Sequence, residues 1–351
     1  MKNLNFINKS MFFFNIVLTM LTFIAYVLPF LAPNLFPILS VLTLFLPLML
    51  ILNVLFFIYW LLQFKKQIFL STIVLLIGFT FINKFYKFSK TDIEKTDKDF
   101  VVMSYNVRLF NLYNWIADKN VSKEISLFIK EKNPDILCLQ EYSNKNKVDF
   151  RIFNHKYVFI EGKNTKLGQA IFSKYPIINK GVIAFPNSTN NAIYADVKRG
   201  KDTLRIYSIH LQSVKITPDV HEIDEDIQNG VTQEKSLRML KRFSHAFSKQ
   251  QQQASIIRKH KSDCKYPIII CGDMNNSAFS YVYRSVKGDL KDTFEEAGSG
   301  FGKSFNFKYY PARIDYIFTD KKFNVKSFSN YPDFKNSDHF PVLTRLSLQT
   351  N

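Results

Sequence analysis

Between Met1 and Asn83 there is no aspartate or glutamate, and the cations are four: Lys2, Lys9, Lys65 and Lys66. Cysteine is scarce across the whole chain, at 3 residues, and glycine is modest at 11. The first scarcity excludes a small disulfide-built scaffold, and the second a collagen-like chain, which needs glycine at every third position. Disorder is excluded for the acid-free stretch, which is far too apolar. A single soluble globule is excluded too. Of the 47 basic and 29 acidic residues in the 351, the part after Asn83 holds 43 and all 29, so the net +18 divides into +4 and +14. The length by itself suggests two domains.

What fills the acid-free quarter is apolar sequence in three runs: Met11 to Leu31, Phe36 to Gln63, and Ile68 to Phe81. A bilayer core takes about 20 residues at helical rise, so each run reads as a membrane span, the third being short. Ala32-Pro33-Asn34 separates the first two, because proline cannot donate its backbone bond. Tyr59 and Trp60 sit near the end of the second, where aromatic belts lie. A cleaved signal peptide is the rival for the first run, but no small-residue cleavage site follows and more apolar sequence does. Lys2 and Lys9 favour a cytoplasmic N-terminus, and Lys65-Lys66 a cytoplasmic second loop. Three spans then place the C-terminal domain outside the cytoplasm, although Lys84, Lys87 and Lys90 compete with that orientation.

The expected organisation is a membrane anchor over residues 1–83, a polar linker over 84–98, and one domain over 99–351. In that domain the pattern changes to short apolar strands with occasional helices. Strands are expected at Phe100 to Asn106, Asp135 to Gln140, Ala170 to Ser173, Ala192 to Val197, Leu204 to Leu211, Pro267 to Cys271, Ile314 to Thr319 and Val342 to Leu348. Helices are expected at Val121 to Lys130 and over a long stretch from Val231 to Lys261. Such alternation implies layered α/β, with two sheets and helices outside. Cys138 and Cys271 fall within strands and read as small core fillers; an odd total rules out a complete disulfide set.

Several of these strands stop in a polar residue: Asn106, Glu141, His210, Asp273 with Asn275, Asp315, and Asp338 with His339. Singly, each has an ordinary reading as a turn residue, a helix cap or a satisfied core histidine. Together they place acids, amides and imidazoles at strand ends, where rigid scaffolds build sites.

The stretches SYN at 104–106, LQE at 139–141, GQAIFSKYPI at 168–177, IHL at 209–211, GDMN at 272–275, RIDY at 313–316 and SDH at 337–339 occur in the order of one family. The chain thus resembles a membrane-anchored, bacterial-type member of the endonuclease/exonuclease/phosphatase superfamily. The resemblance runs from Val101 to about Leu346. It implies an α/β fold: the DNase I-like four-layer α-β-β-α sandwich of two packed sheets, here preceded by an all-α transmembrane segment. It also implies roles. Glu141, with Asn106 beside it and Asp338 as a further contact, matches the metal site, which suits a hard cation such as Mg²⁺, or Mn²⁺. His339 matches the catalytic histidine and Asp315 the carboxylate that orients it. Asp273 matches the residue that positions or deprotonates the attacking water. Asn275 and His210 match catalytic groups that bind phosphoryl oxygens, and Asn106 belongs to the same substrate-binding set.

The implied activity is metal-assisted attack of water on a phosphoester. Substrates in view are nucleic acid, phospholipid (or an inositol phosphate) and phosphorylated small molecules; +14 suits them all. The lipid bilayer is the other expected partner, and no obligate protein partner is expected. A membrane protein that binds phosphate ligands without hydrolysis is the alternative from another class. Phe110, Tyr113, Trp115, Phe279, Tyr281 and Tyr283 are either base-stacking platforms or core anchors. Gln212 to Glu234, with its acidic cluster at Glu222, Asp224, Glu225 and Asp226, reads as a flap over the site or as a plain linker.

Overall fold

The apolar runs of the sequence become helices in its first quarter and strands beyond it. The computed structural model describes residues 4–146, 148–161, 167–214 and 233–349; most of the proposed flap lies outside them. The chain divides into two units. One is Met1–Phe85, Val214–Gln251 and Ala278–Arg284, and the other is Tyr86–Ser213, Gln252–Ser277 and Ser285–Asn351.

In the first unit, three helical stretches are long and apolar enough to cross a membrane: Phe6–Phe30, Pro37–Leu62 and Ile68–Phe85. Helix α1 (Phe6–Val27) starts earlier than the apolar run does, because the Asn5 side chain accepts the Asn8 N–H and caps it. It yields to a 3₁₀ turn at Leu28–Phe30, where Pro29 enters. The second stretch is interrupted. Helix α2 (Pro37–Ser40) and a 3₁₀ turn at Val41–Phe45 lead into α3 (Leu46–Leu62), which restarts with Pro47 in its first turn. Helix α4 (Ile68–Phe85) runs past Phe81, and Lys84 in its last turn complements the negative end of the helix dipole.

A polar seam joins these helices. Asn8, Asn15 and Thr22 recur every seventh residue of α1, and all three are buried. Asn8 Nδ2 donates to Gln63, and Tyr59 donates to Asn8 Oδ1. Asn15 donates to Ser71 and accepts from the Trp60 indole, both at 3.0 Å. Thr22 Oγ1 accepts from Asn53 at 3.1 Å. Away from the seam, residues such as Phe13, Leu76 and Phe79 are exposed.

The second unit contains two six-stranded sheets. The first is built from β1 (Phe100–Asn106), β2 (Ile136–Tyr142), β3 (His155–Glu161) and β4 (Leu167–Ser173), and from β11 (Phe323–Asn330) and β12 (Val342–Leu348), in the order β11-β12-β1-β2-β4-β3. The second holds β5 (Ile177–Ala184), β6 (Asn191–Arg199), β7 (Asp202–His210), β8 (Ile268–Asp273), β9 (Lys291–Asp292) and β10 (Asp315–Thr319), in the order β5-β6-β7-β8-β10-β9.

Each sheet has one parallel pair near its centre, β1 with β2 and β7 with β8, and antiparallel neighbours around it. A parallel pair needs a crossover. Helix α5 (Val121–Lys132) supplies the first, and the second runs through α6 (Gln233–Ser262). The inner faces of the two sheets make one core: Val102, Ile136, Cys138 and Ile171 meet Ile193, Ile206, Ile269, Cys271 and Ile317. The outer face of the first sheet (Met103, Tyr105, Leu137, Leu139) is covered by Val121, Ile125 and Ile129 of α5. Burial on both faces explains why DILCLQ and PIIIC read as unbroken apolar runs. This is the expected sandwich of two packed sheets with flanking helices.

Candidate active site

The parallel pairs bring the polar strand ends together. Register sets Asn106 beside Gln140 in the first sheet and His210 beside Asp273 in the second. Asp315 opens β10 rather than ending a strand, and antiparallel pairing puts it across from Asp273. Ser337-Asp338-His339 lies just before β12, which runs antiparallel to β1. Its place at the end of β1 is fixed by Ser337, whose hydroxyl donates to the Asn106 carbonyl at 2.9 Å.

Local backbone devices aim the side chains. Glu141 lies at a register shift between β2 and β4 and has φ 49. A bulge of this kind turns a side chain out of the strand's alternation. Gly272 has φ 139, and a Cβ there would stand 2.0 Å from the Ile209 carbonyl oxygen. The glycine is therefore required by the close approach of β8 to β7. Arg108, Leu109, Phe110 and Asn111 have consecutive φ values of 42, 54, 54 and 60. Each costs on the order of 1 kcal/mol for a residue with a Cβ. The turn persists because Leu109 and Phe110 are buried and the Phe110 carbonyl accepts from Asn146 at 2.8 Å.

The charged centre is compact. His339 Nδ1 is 2.9 Å from Asp315 Oδ2, and its Nε2 is 3.6 Å from Asp273 Oδ2. Asn106 Nδ2 donates to Glu141 Oε1 at 3.2 Å and to Asp273 Oδ2 at 3.1 Å, while its Oδ1 accepts the Arg108 N–H. The amide thus ties two carboxylates together. Asn275 donates to Asp273 through its backbone N at 2.7 Å and its side chain at 3.1 Å, and the side chain also donates to the Leu211 carbonyl at 3.1 Å. His210 Nε2 lies 3.7 Å from both Glu141 and Asp273 and has no hydrogen-bond partner among the described residues. Arg108 Nε is 3.5 Å from Asp338.

Burial and like charge set the protonation. Burial pushes the Asp273 carboxyl up to about 8, even against the nearby His339 charge. Burial opposes the His339 imidazolium, but the carboxylates of Asp315 and Asp273 outweigh it and hold its pKa well above the ordinary value. Burial, helped by the His339 charge, drops His210 to about 3, so that ring is neutral. Glu141 keeps 24% of its side chain exposed, yet burial of its carboxyl and then Asp338 raise its pKa.

Burial is the main cause of both raised carboxyls, and a cation bound beside them would favour their ionised forms. Glu141 and Asp338, with oxygen donors and no thiol, suit a hard divalent ion. Asp273, Asp315 and His339 also offer ligand atoms within 4.8 Å of one another. There, however, the 2.9 Å bond between His339 and Asp315 already occupies one ring nitrogen.

Sequence reasoning missed three features. Arg108 sits two residues after Asn106, and its place just past a strand end was the available signal. Beneath the site, Gln140 accepts from Ser104 and donates to Ser208 at 2.9 Å, and Ser208 donates to Gln169 at 2.8 Å. Arg313 of the RIDY stretch is buried against Asp292 at 2.7 Å. Of the six aromatics, Phe110, Phe279 and Tyr283 are core residues, whereas Tyr113 and Trp115 are exposed.

Known proteins agree with this architecture. None of the curated proteins matches the sequence. Residues 8–85 match a domain of unknown function. Solved structures share the fold of the second unit. The human Nocturnin catalytic domain, solved with a bound sulfate anion, is 19% identical, with a TM-score of 0.54 over 74% of this chain and 98% of that one. An endonuclease/exonuclease/phosphatase from Beutenbergia cavernae is 17% identical, with a TM-score of 0.50 over 72% of each chain. A functionally unknown conserved protein from Enterococcus faecalis is 17% identical, with a TM-score of 0.50 over 71% of this chain and all of that one. Residues 103–339, most of the chain, match the Endonuclease/Exonuclease/phosphatase family, and the chain belongs to that family.

Proposed function

We propose that the protein is a membrane-anchored, divalent-metal-dependent phosphoester hydrolase. Residues 1–83 are the anchor and residues 99–351 carry the chemistry, outside the cytoplasm. The observation that carries the reading is the His339–Asp315 pair at 2.9 Å, facing Asp273 at 3.6 Å with Glu141 and Asn106 alongside. The sulfate bound to the Nocturnin domain, an analogue of phosphate charge and shape, supports it.

Asp273, whose carboxyl burial makes more basic than usual, takes a proton from water in its ionised form. His339, kept cationic by Asp315, meets charge building on a phosphoryl oxygen. Neutral His210 and Asn275 supply uncharged hydrogen bonds to the same group. Glu141, Asp338 and Asn106 would hold Mg²⁺ or Mn²⁺, which would supply polarisation of the phosphoryl oxygen. The three apolar helices favour a lipid-borne phosphoester over a freely diffusing one, so phospholipids and phosphoinositides stand beside DNA and RNA among the substrates.

The test uses the full chain in nanodiscs with Mg²⁺ or Mn²⁺ against plasmid DNA, RNA, sphingomyelin, phosphoinositides and p-nitrophenyl phosphate esters. Turnover that is lost in EDTA and in Glu141→Ala is expected. Ligand binding with no product would favour the non-hydrolytic alternative.

A further inference from the structure

We infer that Arg108 is a substrate-phosphate clamp, presented by the left-handed turn at 108–111 and braced by Trp115. The inference rests on the phosphoester reading and adds to it a residue that determines which anions the site holds.

The Arg108 guanidinium carbon lies over the Trp115 ring, 4.4 Å from its centroid, a cation–π contact that leaves its N–H groups unused. Its Nε lies 3.5 Å from Asp338, and its charge is also felt by Glu141. Charge-assisted bonds of this kind close to about 2.7–2.9 Å when made. Among the described residues none of the guanidinium N–H groups has a hydrogen-bond partner, although a fifth of the side chain is exposed. A cation seated on an aromatic ring, with unused donors beside a carboxylate, is arranged to accept a second anion. Phosphoryl oxygens fit the planar fork of an arginine.

The turn is built to hold this group. Four consecutive residues with positive φ reverse the chain directly after Asn106. The Arg108 N–H is bonded to Asn106 Oδ1 at 3.1 Å, which couples the turn to the amide that joins Glu141 and Asp273. Asn111 then fixes the next loop, donating to the Ile116 carbonyl at 2.7 Å and accepting the Ile116 N–H at 2.9 Å. That loop carries Trp115 and, in edge contact with it at 5.2 Å, Tyr113. Backbone strain that packing holds in place beside a site is a mark of function. Here it buries Leu109 and Phe110, leaves Trp115 exposed, and keeps a fifth of the Arg108 side chain accessible.

The experiment is run on the full chain with Mg²⁺, comparing wild type, Arg108→Gln, Arg108→Lys and Trp115→Leu. On the best substrate of the panel, Arg108→Gln should raise KM roughly 10- to 100-fold, the span of a charged hydrogen bond, with kcat changed less than about threefold. Arg108→Lys should recover part of the loss, and Trp115→Leu should raise KM by a smaller factor. Independently of turnover, inorganic phosphate should raise the melting temperature of wild type and of His339→Ala but not of Arg108→Gln. A fall in kcat at constant KM, or phosphate protection undiminished in Arg108→Gln, would overturn the clamp. So would a KM effect traced to weaker Mg²⁺ affinity, which would make Arg108 a structural partner of Asp338. If wild type turns over nothing in the panel, the hydrolase reading fails, while the phosphate titration still decides the clamp.

Discussion

Asn15 and Asp273 are both buried polar residues, one in an acid-free helix and the other at the end of an apolar strand. Asn15 is surrounded by neutral partners on two other helices, Ser71 and Trp60. Asp273 is surrounded by ionisable groups: His339 at 3.6 Å, the neutral ring of His210 at 3.7 Å, and Asp315 across the ladder. In the helical seam nearly every polar atom is matched, with Thr19 Oγ1 and Asn53 Oδ1 as its unmatched members. At the strand ends His210 Nε2 and Asp315 Oδ1 are unmatched within a crowd of ionisable groups. The contrast separates two uses of a buried polar group. Neutral pairs between apolar helices have no better alternative and fix which helix faces which. Clustered carboxylates and imidazoles are held in an arrangement that a bound phosphate and cation would improve.

The largest effect expected is on the charged side of the comparison. His339→Ala or Asp273→Ala should lower kcat by about a thousandfold or more, with circular dichroism unchanged. A variant retaining a tenth of the wild-type rate would remove that residue from the chemistry. Next is Gly272→Ala. With φ 139 and a Cβ 2.0 Å from Ile209, it should destabilise the protein by about 3 kcal/mol or more in a urea melt. An unmoved midpoint would show that β7 and β8 can part without cost. On the neutral side, Asn15→Leu should leave kcat unchanged and lower the stability of the detergent-solubilised protein by about 1 kcal/mol. A larger loss of kcat than of stability would blur the distinction between the two regions.

The smallest effect expected is pH dependence. His210 falls from its ordinary 6.5 to about 3 in the folded protein. The unfolded chain therefore binds more protons between those values, and stability drops as pH falls through that window. Asp273, raised to about 8, acts in the opposite sense. In EDTA, the difference between wild type and His210→Gln isolates the histidine term, about 1 kcal/mol between pH 7 and pH 5.5. Parallel pH profiles for the two proteins would show that His210 is not held neutral.

Much of this was legible in the sequence, for particular reasons. β1, β2, β7 and β8 announced themselves because burial on both faces makes their sequences uniformly apolar. Of the candidate site residues, Asn106, Glu141, His210 and Asp273 were visible because they lie at the ends of those runs, whereas Asp315, Asp338 and His339 come at or before the start of β10 and β12. β3 and β5 were not legible, since most of their residues are partly or fully exposed and carry no clear alternation. β11 does alternate, with Phe323, Val325 and Phe328 buried, but a shift near Val325 and Ser327 breaks the period. Arg108 escaped because its role comes from a left-handed turn that no glycine marks. Gln140, Gln169 and Ser208 escaped because their pairing crosses between sheets, a relation that spacing along the chain does not encode.

That crossing has a mechanical consequence. Asn106, Glu141 and the approach to β12 belong to one sheet, and His210, Asp273 and Asp315 to the other. Neither sheet holds the proposed site by itself, so the proposed catalysis would gauge their alignment. A slip of an ångström would misplace the reacting groups while every strand kept its ladder. Activity should therefore fade at lower urea than the strand signal in circular dichroism. Coincident midpoints would mean that the two sheets slip and melt as one body.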